Sequence, residues 1–132
     1  KYFTETTWYL HSQTKKRLRK TDLYNLLNNS GIQLKELVEH DVFLNSLLNA
    51  KCVLTDGESV IEECKIIGVP TYSIISKLEN PNSINKNIFL YNEFKQYEVF
   101  FDNLRLFRAD SGFNKDISPS REISNYLKGV IN

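Results

Sequence analysis

The residues best suited to chemistry lie together in T-D-G-E-S-V-I-E-E, Thr55 to Glu63. Asp56, Glu58, Glu62 and Glu63 bring carboxylates, Ser59 a hydroxyl, and Gly57 a backbone without a side chain. Polar residues of this kind between an apolar run and a helix start can bind a ligand, because a helix N-terminus points N–H groups at whatever sits over the loop. The same residues also have a plain structural reading. Ser59 followed by Glu62 fits S-x-x-E, a capping box that needs no ligand, and Gly57 suits a turn.

Two flanking elements must position this loop. Cys52 to Thr55 is a short apolar, β-branched run, as expected of a buried strand. Val60, Ile61, Cys64 and Ile67 then recur at helical spacing; Gly68 ends that helix and Pro70 forbids its continuation. In an open α/β sheet a loop of this type lies at the carboxyl end of a strand, where ligands bind.

The remaining elements follow the same alternation. Thr6 to Leu10 reads as a strand that closes at His11, where a ligand contact and a simple polar strand end both fit. Lys15 to Lys20 is a short basic run whose Lys15, Lys16, Arg17, Arg19 and Lys20 could meet a phosphate. A run this short is usually a solvated helix face, and without interleaved aromatics it is not a nucleic-acid site. Asp22 is positioned to cap a helix with Leu23, Leu26 and Leu27 as its stripe, stopped at Asn28 to Gly31. Ile32 to Val38 alternates like a half-buried strand, and Asp41 is the expected N-cap of a helix carrying Val42, Phe43, Leu44, Leu47 and Leu48. Thr71 to Ile75 is a buried strand, and Ser76 to Asn87 a polar connection. Asn87 to Tyr91 is a short edge strand. Glu93 to Phe107 is one amphipathic helix with Phe94, Tyr97, Phe100, Phe101, Leu104 and Phe107 in the core. Ser118 and Pro119 open a last helix with Ile123, Leu127 and Val130 inward. Strand–helix alternation throughout predicts an α/β fold, a Rossmann-like parallel sheet flanked by helices.

Composition bounds the function. The 132 residues suffice for one domain with one core. With 17 basic and 16 acidic residues there is no global charge to favour nucleic acid or an anionic membrane. No apolar run approaches membrane-spanning length, and the amino end KYFTETTW has no secretory apolar region. Cys52 and Cys64 read as small buried hydrophobes of a reducing cytosol rather than a bridge; neither they nor His11 and His40 show metal-ligand spacing. A cytoplasmic location and no cofactor are expected.

The central stretch resembles a motif of the non-hydrolysing UDP-N-acetylglucosamine 2-epimerases, T-D-S-G-G-x-Q-E-E-x-x-x-x-G-x-P, with Thr55, Asp56, Glu62, Glu63, Gly68 and Pro70 in register. The likeness is collinear over nearly the whole chain. Leu10-His11, Thr14 and Arg17-Leu18 are similar to the family's H-P-x-T-x-x-R-L; His40 to Ala50 resembles its y-x-x-F-x-x-L-x-x-A segment. Leu78 to Asn82 falls where the family has T-E-R-P-E, and Ser111 to Leu127 is similar to its closing N-P-Y-G-x-G-x-A-x-x-R-I helix.

The resemblance implies one half of a GT-B arrangement: residues 1–132 as a single nucleotide-sugar-binding, carboxyl-terminal domain of a longer protein. The implied parent activity is isomerisation, by elimination of UDP from UDP-N-acetylglucosamine and re-addition with inverted C2, in polysaccharide biosynthesis. Alternatives are a glycosyltransferase-like nucleotide-sugar domain and a diverged, non-catalytic interaction domain. The family's G-H-R-x-E-N segment and its amino-terminal domain, which brings the catalytic groups, have no counterpart here, so this chain alone is expected to be inactive. The implied partners are a UDP-sugar, the missing domain or a chain that supplies it, and a second copy as a homodimer.

The implied substrate-binding residues are Phe43, against the uracil base; Asp56, Gly57, Glu58 and Ser59, at the diphosphate; and Glu63, on the ribose hydroxyls. From periodicity alone Phe43 is a core residue, and the resemblance brings the uracil reading level with that. Three departures weaken the anion site. Glu58 brings negative charge where the family has glycine; Asn80 replaces the Arg of T-E-R-P-E; and a further family Arg falls on Ile75 or Ser76, with Lys77 the nearest cation.

Overall fold

A computed structural model describes residues 5–75, 86–91, 97–109 and 118–131. The elements run β1 (Thr7–Leu10), α1 (Ser12–Leu18), α2 (Leu23–Asn29), β2 (Gln33–Glu36), α3 (His40–Asn49), β3 (Val53–Thr55), α4 (Glu58–Ile67), β4 (Thr71–Ser73), β5 (Ile88–Leu90), α5 (Tyr97–Asp102), α6 (Leu104–Phe107) and α7 (Pro119–Ile131). Among the described residues every strand pair is parallel, and the fold is Rossmann-like α/β with flanking helices. Their strands form two sheets, a pair β1-β2 and a triplet β3-β4-β5 with β5 on the outside, where the sequence suggests one.

The triplet holds the core. Val53, Leu54 and Thr55 register with Thr71, Tyr72 and Ser73, which register in turn with Ile88, Phe89 and Leu90. Buried Leu47, Ile61, Cys64, Val69, Ile88 and Leu90 form one cluster under α3 and α4. Gly68 closes α4 in the left-handed region at φ 82°, a conformation that penalises any Cβ, and donates to the Cys64 carbonyl at 2.8 Å. Fully buried Asn87 donates from Nδ2 to the carbonyls of Cys64 at 2.9 Å and Val69 at 2.8 Å, tying the end of α4 to the start of β5.

α3 joins the two sheets. Tyr9 at the end of β1 meets Phe43 edge-on, with centroids 5.5 Å apart, and its hydroxyl lies 2.9 Å from Ser46 Oγ. On the opposite flank, Phe100 is completely buried. It touches Tyr72, Phe89 and Phe101 at centroid distances of 5.3–5.4 Å and stacks on Phe107 at 5.8 Å.

Several sequence expectations are corrected. The helix expected over Glu93 to Phe107 is, in its described part from Tyr97, two pieces. Asn103 leaves helical geometry at φ −119°, ψ 23°, and its side chain bonds back to the Val99 carbonyl at 2.8 Å, in competition with the helix ladder. That break brings Phe107 flat against Phe100. Phe94 lies outside the described residues. Helix α3 begins at His40 with Glu39 as N-cap, and Asp41 accepts only from the N–H of its neighbour Val42, 2.8 Å away. Asp22 stands at the N-cap of α2 but makes no side-chain cap bond, because it is already in the helical region. The leucine stripe of α2 is not covered: Leu26 is 66% exposed and Leu23 53%, with Leu27 half-buried. In α3 only Leu47 is buried, with Phe43 and Leu44 half-buried and Val42 and Leu48 exposed. β2 is mostly exposed, with Leu34 half-buried. In α7, Ile123 and Leu127 are exposed rather than inward, and the side chain of Val130 lies outside the described residues. Cys64 is buried and Cys52 half-buried, and both are free thiols.

Candidate functional site

The loop after β3 is shaped by the chain itself. Thr55 Oγ1 accepts the N–H of Gly57 at 3.0 Å, a serine/threonine turn that redirects the backbone at the strand's end. Gly57 is then the N-cap of α4, and the first ladder bond runs from Ile61 N–H to the Gly57 carbonyl at 3.2 Å. The capping box is therefore absent. Ser59 is the second residue of the helix, not its cap, because the threonine turn lets the helix start at Glu58. The ladder leaves the amides of residues 58–60 outside it.

Gly57 has an ordinary extended conformation, φ −103° and ψ 123°. A Cβ placed there would lie 3.6 Å from Thr55 Oγ1 and 3.7 Å from a Val60 methyl, both normal contacts. The fold does not itself require glycine at this position. Asp56 and Ser59 are exposed, Gly57 and Glu58 half-buried, so the turn is open rather than sealed beneath another helix. Glu58, in the first turn of α4, places its charge at the positive end of the helix dipole, a stabilising location for the helix and an adverse one for an anion.

Glu63 is one helical turn beyond Ser59, so the two lie on one side of α4. Its Oε1 lies 2.8 Å from Nε2 of His40, the first residue of α3. Its Oε2 is shielded from solvent and has no hydrogen-bond partner. Phe43 stands one turn along α3 from His40, half-buried, with its ring against Tyr9 and its flank on the core cluster. α3 follows β2 and α4 follows β3, so each helix starts from the carboxyl end of a parallel strand. His40 and Glu63 thus tie the start of α3 to α4, with Phe43 one turn along α3 and the turn at 56–59 at the start of α4.

The sequence singles out Phe43, Asp56, Gly57, Glu58, Ser59 and Glu63. Its reading of the turn does not reach His40, whose part is tertiary. The available sequence signal is positional: His40 opens the same helix face as Phe43, three residues ahead of it.

Other candidates are engaged elsewhere. His11 is the N-cap of α1, its carbonyl accepting from Lys15 N–H at 2.9 Å. Within the basic run, Lys15 pairs with Glu36 at 2.6 Å, and that hydrogen bond holds the Glu36 carboxyl below its usual range. Arg19 lies over the Tyr24 ring at 5.6 Å. Ile75 packs against the core. Ser76, Lys77 and the segment Leu78 to Asn82, with Asn80, lie outside the described residues, as does 111–117 of the closing segment. Among the described residues, no His, Cys, Asp and Glu cluster is arranged to hold a metal, and no helix is long and apolar enough to cross a membrane.

The chain is similar to two curated proteins, each named UDP-N-acetylglucosamine 2-epimerase. It is 36% identical over 76 residues to that of Methanocaldococcus jannaschii, covering 57% of this chain and 21% of the relative. It is 32% identical over 88 residues to that of Methanococcus maripaludis, covering 66% of this chain and 24% of the relative. The chain thus spans between a fifth and a quarter of the length of these relatives. No family model matches, and no solved structure matches. The two partial similarities relate the chain to the UDP-N-acetylglucosamine 2-epimerases and to nucleotide-sugar enzymes.

Proposed function

We propose that this chain is the UDP-binding, carboxyl-terminal part of a nucleotide-sugar enzyme resembling UDP-N-acetylglucosamine 2-epimerase, one half of a GT-B arrangement. The observation that carries this reading is the open threonine turn at 56–59, placed at the carboxyl end of a parallel strand and at the start of α4. A diphosphate over that turn would meet first-turn amides and the Ser59 hydroxyl. A glycine that the fold does not require suits close approach by a phosphate. Phe43 would pack on uracil from α3, and Glu63 would accept the ribose hydroxyls from α4. Asp56, exposed at the mouth of the turn, would contribute its carboxylate to the same site.

These residues bind and orient. The catalytic groups of UDP elimination and re-addition would come from the rest of the protein or a partner chain, in the cytoplasm and in polysaccharide biosynthesis. The test is titration of the 132-residue chain with UDP, followed by NMR or melting temperature. Saturable binding that Glu63→Ala weakens supports the reading; no response at millimolar UDP overturns it. The second reading, a diverged interaction domain that holds no nucleotide, is favoured by Glu58 at the anion position. It predicts no response to UDP in the wild-type chain or in any variant of Glu58, Glu63 or His40.

A further inference from the structure

We infer that His40 is a latch on Glu63, competing with the ribose of a bound nucleotide for the same carboxylate. The inference rests on the reading of Glu63 as the ribose-binding residue. In the structure neither oxygen of Glu63 is presented to a ligand. Oε1 is bonded to His40 Nε2 at 2.8 Å, and Oε2 is shielded from solvent without a partner. If the ribose is held with one hydroxyl on each carboxylate oxygen, Oε1 must be freed, and the contact with His40 gives way first.

The balance of forces makes that exchange feasible. The His40 side chain is 68% exposed and that of Glu63 26%, so the imidazole can leave the contact for solvent while the carboxylate stays at the protein surface's inner edge, and a pair with one such exposed partner holds weakly. His40 is the first residue of α3, with no preceding helical turn for its side chain to meet when it swings away. The shielded Oε2 carries a desolvation cost that hydroxyl donors from a ribose would relieve. The rest of α3 is anchored independently of the latch, through Leu47 in the core and through Phe43 and Ser46 against Tyr9. Release of His40 therefore frees Glu63 and leaves the Phe43 ring in place.

The test compares wild type, His40→Ala, His40→Gln and Glu63→Ala in the 132-residue chain. Each is titrated with UDP and with the 2′,3′-dideoxy analogue, which lacks both ribose hydroxyls. The latch predicts that His40→Ala binds UDP about two- to fivefold more tightly, the range an exposed pair of this kind supports. The analogue should show no such gain, and His40→Gln, which keeps an N–H donor, should stay near wild type. His40→Ala that binds UDP as wild type does or more weakly, while Glu63→Ala still weakens it, overturns the latch and leaves the binding site standing. UDP binding that ignores Glu63→Ala, or is absent from wild type and His40→Ala alike, overturns the site and the latch together.

Discussion

At the scale of single residues, Glu58 shows how one carboxylate can serve the helix and oppose a ligand. Glu58 sits where a helix N-terminus welcomes negative charge, so it serves the helix at the expense of an anion above the turn. Glu58→Gln should therefore tighten UDP binding severalfold while costing about 0.3–1 kcal/mol of stability. Parallel titration and thermal denaturation measure both, and an unchanged affinity removes charge repulsion as the obstacle. Cys64 gives a second residue-level prediction. Burial pushes its thiol up from 9.0 to about 11, and burial likewise raises Tyr72. A group with a raised folded-state pKa stabilises the fold fully below its unfolded value and loses that contribution as pH climbs. Stability should thus fall between pH 9 and about 11, by at most about 1.4 kcal/mol per pH unit from this thiol. Denaturant titrations across that range check it, and Cys64→Ala, less stable throughout, should flatten the slope.

At the scale of elements, aromatic packing decides what helical periodicity leaves open. The stripe from Tyr97 to Phe107 is apolar at helical spacing, yet Asn103 interrupts it and the interruption serves the ring cluster. Phe100 is the hub, in contact with rings from β4, β5, α5 and α6. Phe100→Ala should cost about 3–5 kcal/mol, because the cavity cannot collapse among four other rings. A loss below 1 kcal/mol in urea denaturation, roughly the scale of a surface change, would contradict that packing. α7 is the opposite case. Ile123 is 60% exposed, so Ile123→Ser should shift stability by no more than about 0.5 kcal/mol.

At the scale of the whole molecule, the two sheets are unequal. The triplet β3-β4-β5 carries the core cluster, whereas the pair β1-β2 buries Leu10 alone among its residues and leaves Trp8 and both ends of β2 exposed. Protection against hydrogen exchange follows buried contact and sheltered hydrogen bonds. The N–H of Thr71, donating to Asn87 at 2.7 Å, should exchange far more slowly than that of Gln33, donating to Thr6 at 2.8 Å, although the bond lengths match. Equal protection of the two would mean that the sheets open as one unit.

The α/β alternation, the strand–turn–helix at 53–67 and the stop at Gly68 and Pro70 were all legible in the chain. They rest on local rules: apolar period, glycine conformation and proline's missing donor. Asp56, Gly57, Glu58 and Ser59 stood out as a polar turn before a helix, whereas Phe43 and Glu63 became candidates only through the resemblance. Tertiary structure alone decided three things. It replaced the Ser59 cap by a turn on Thr55, whose hydroxyl takes the Gly57 N–H and lets the helix begin before Ser59. It left the leucines of α2 and the apolar face of α7 uncovered, since amphipathic spacing states which face is apolar and not what packs on it. And it set His40 on Glu63 across 23 residues of chain, a distance that no periodicity measures.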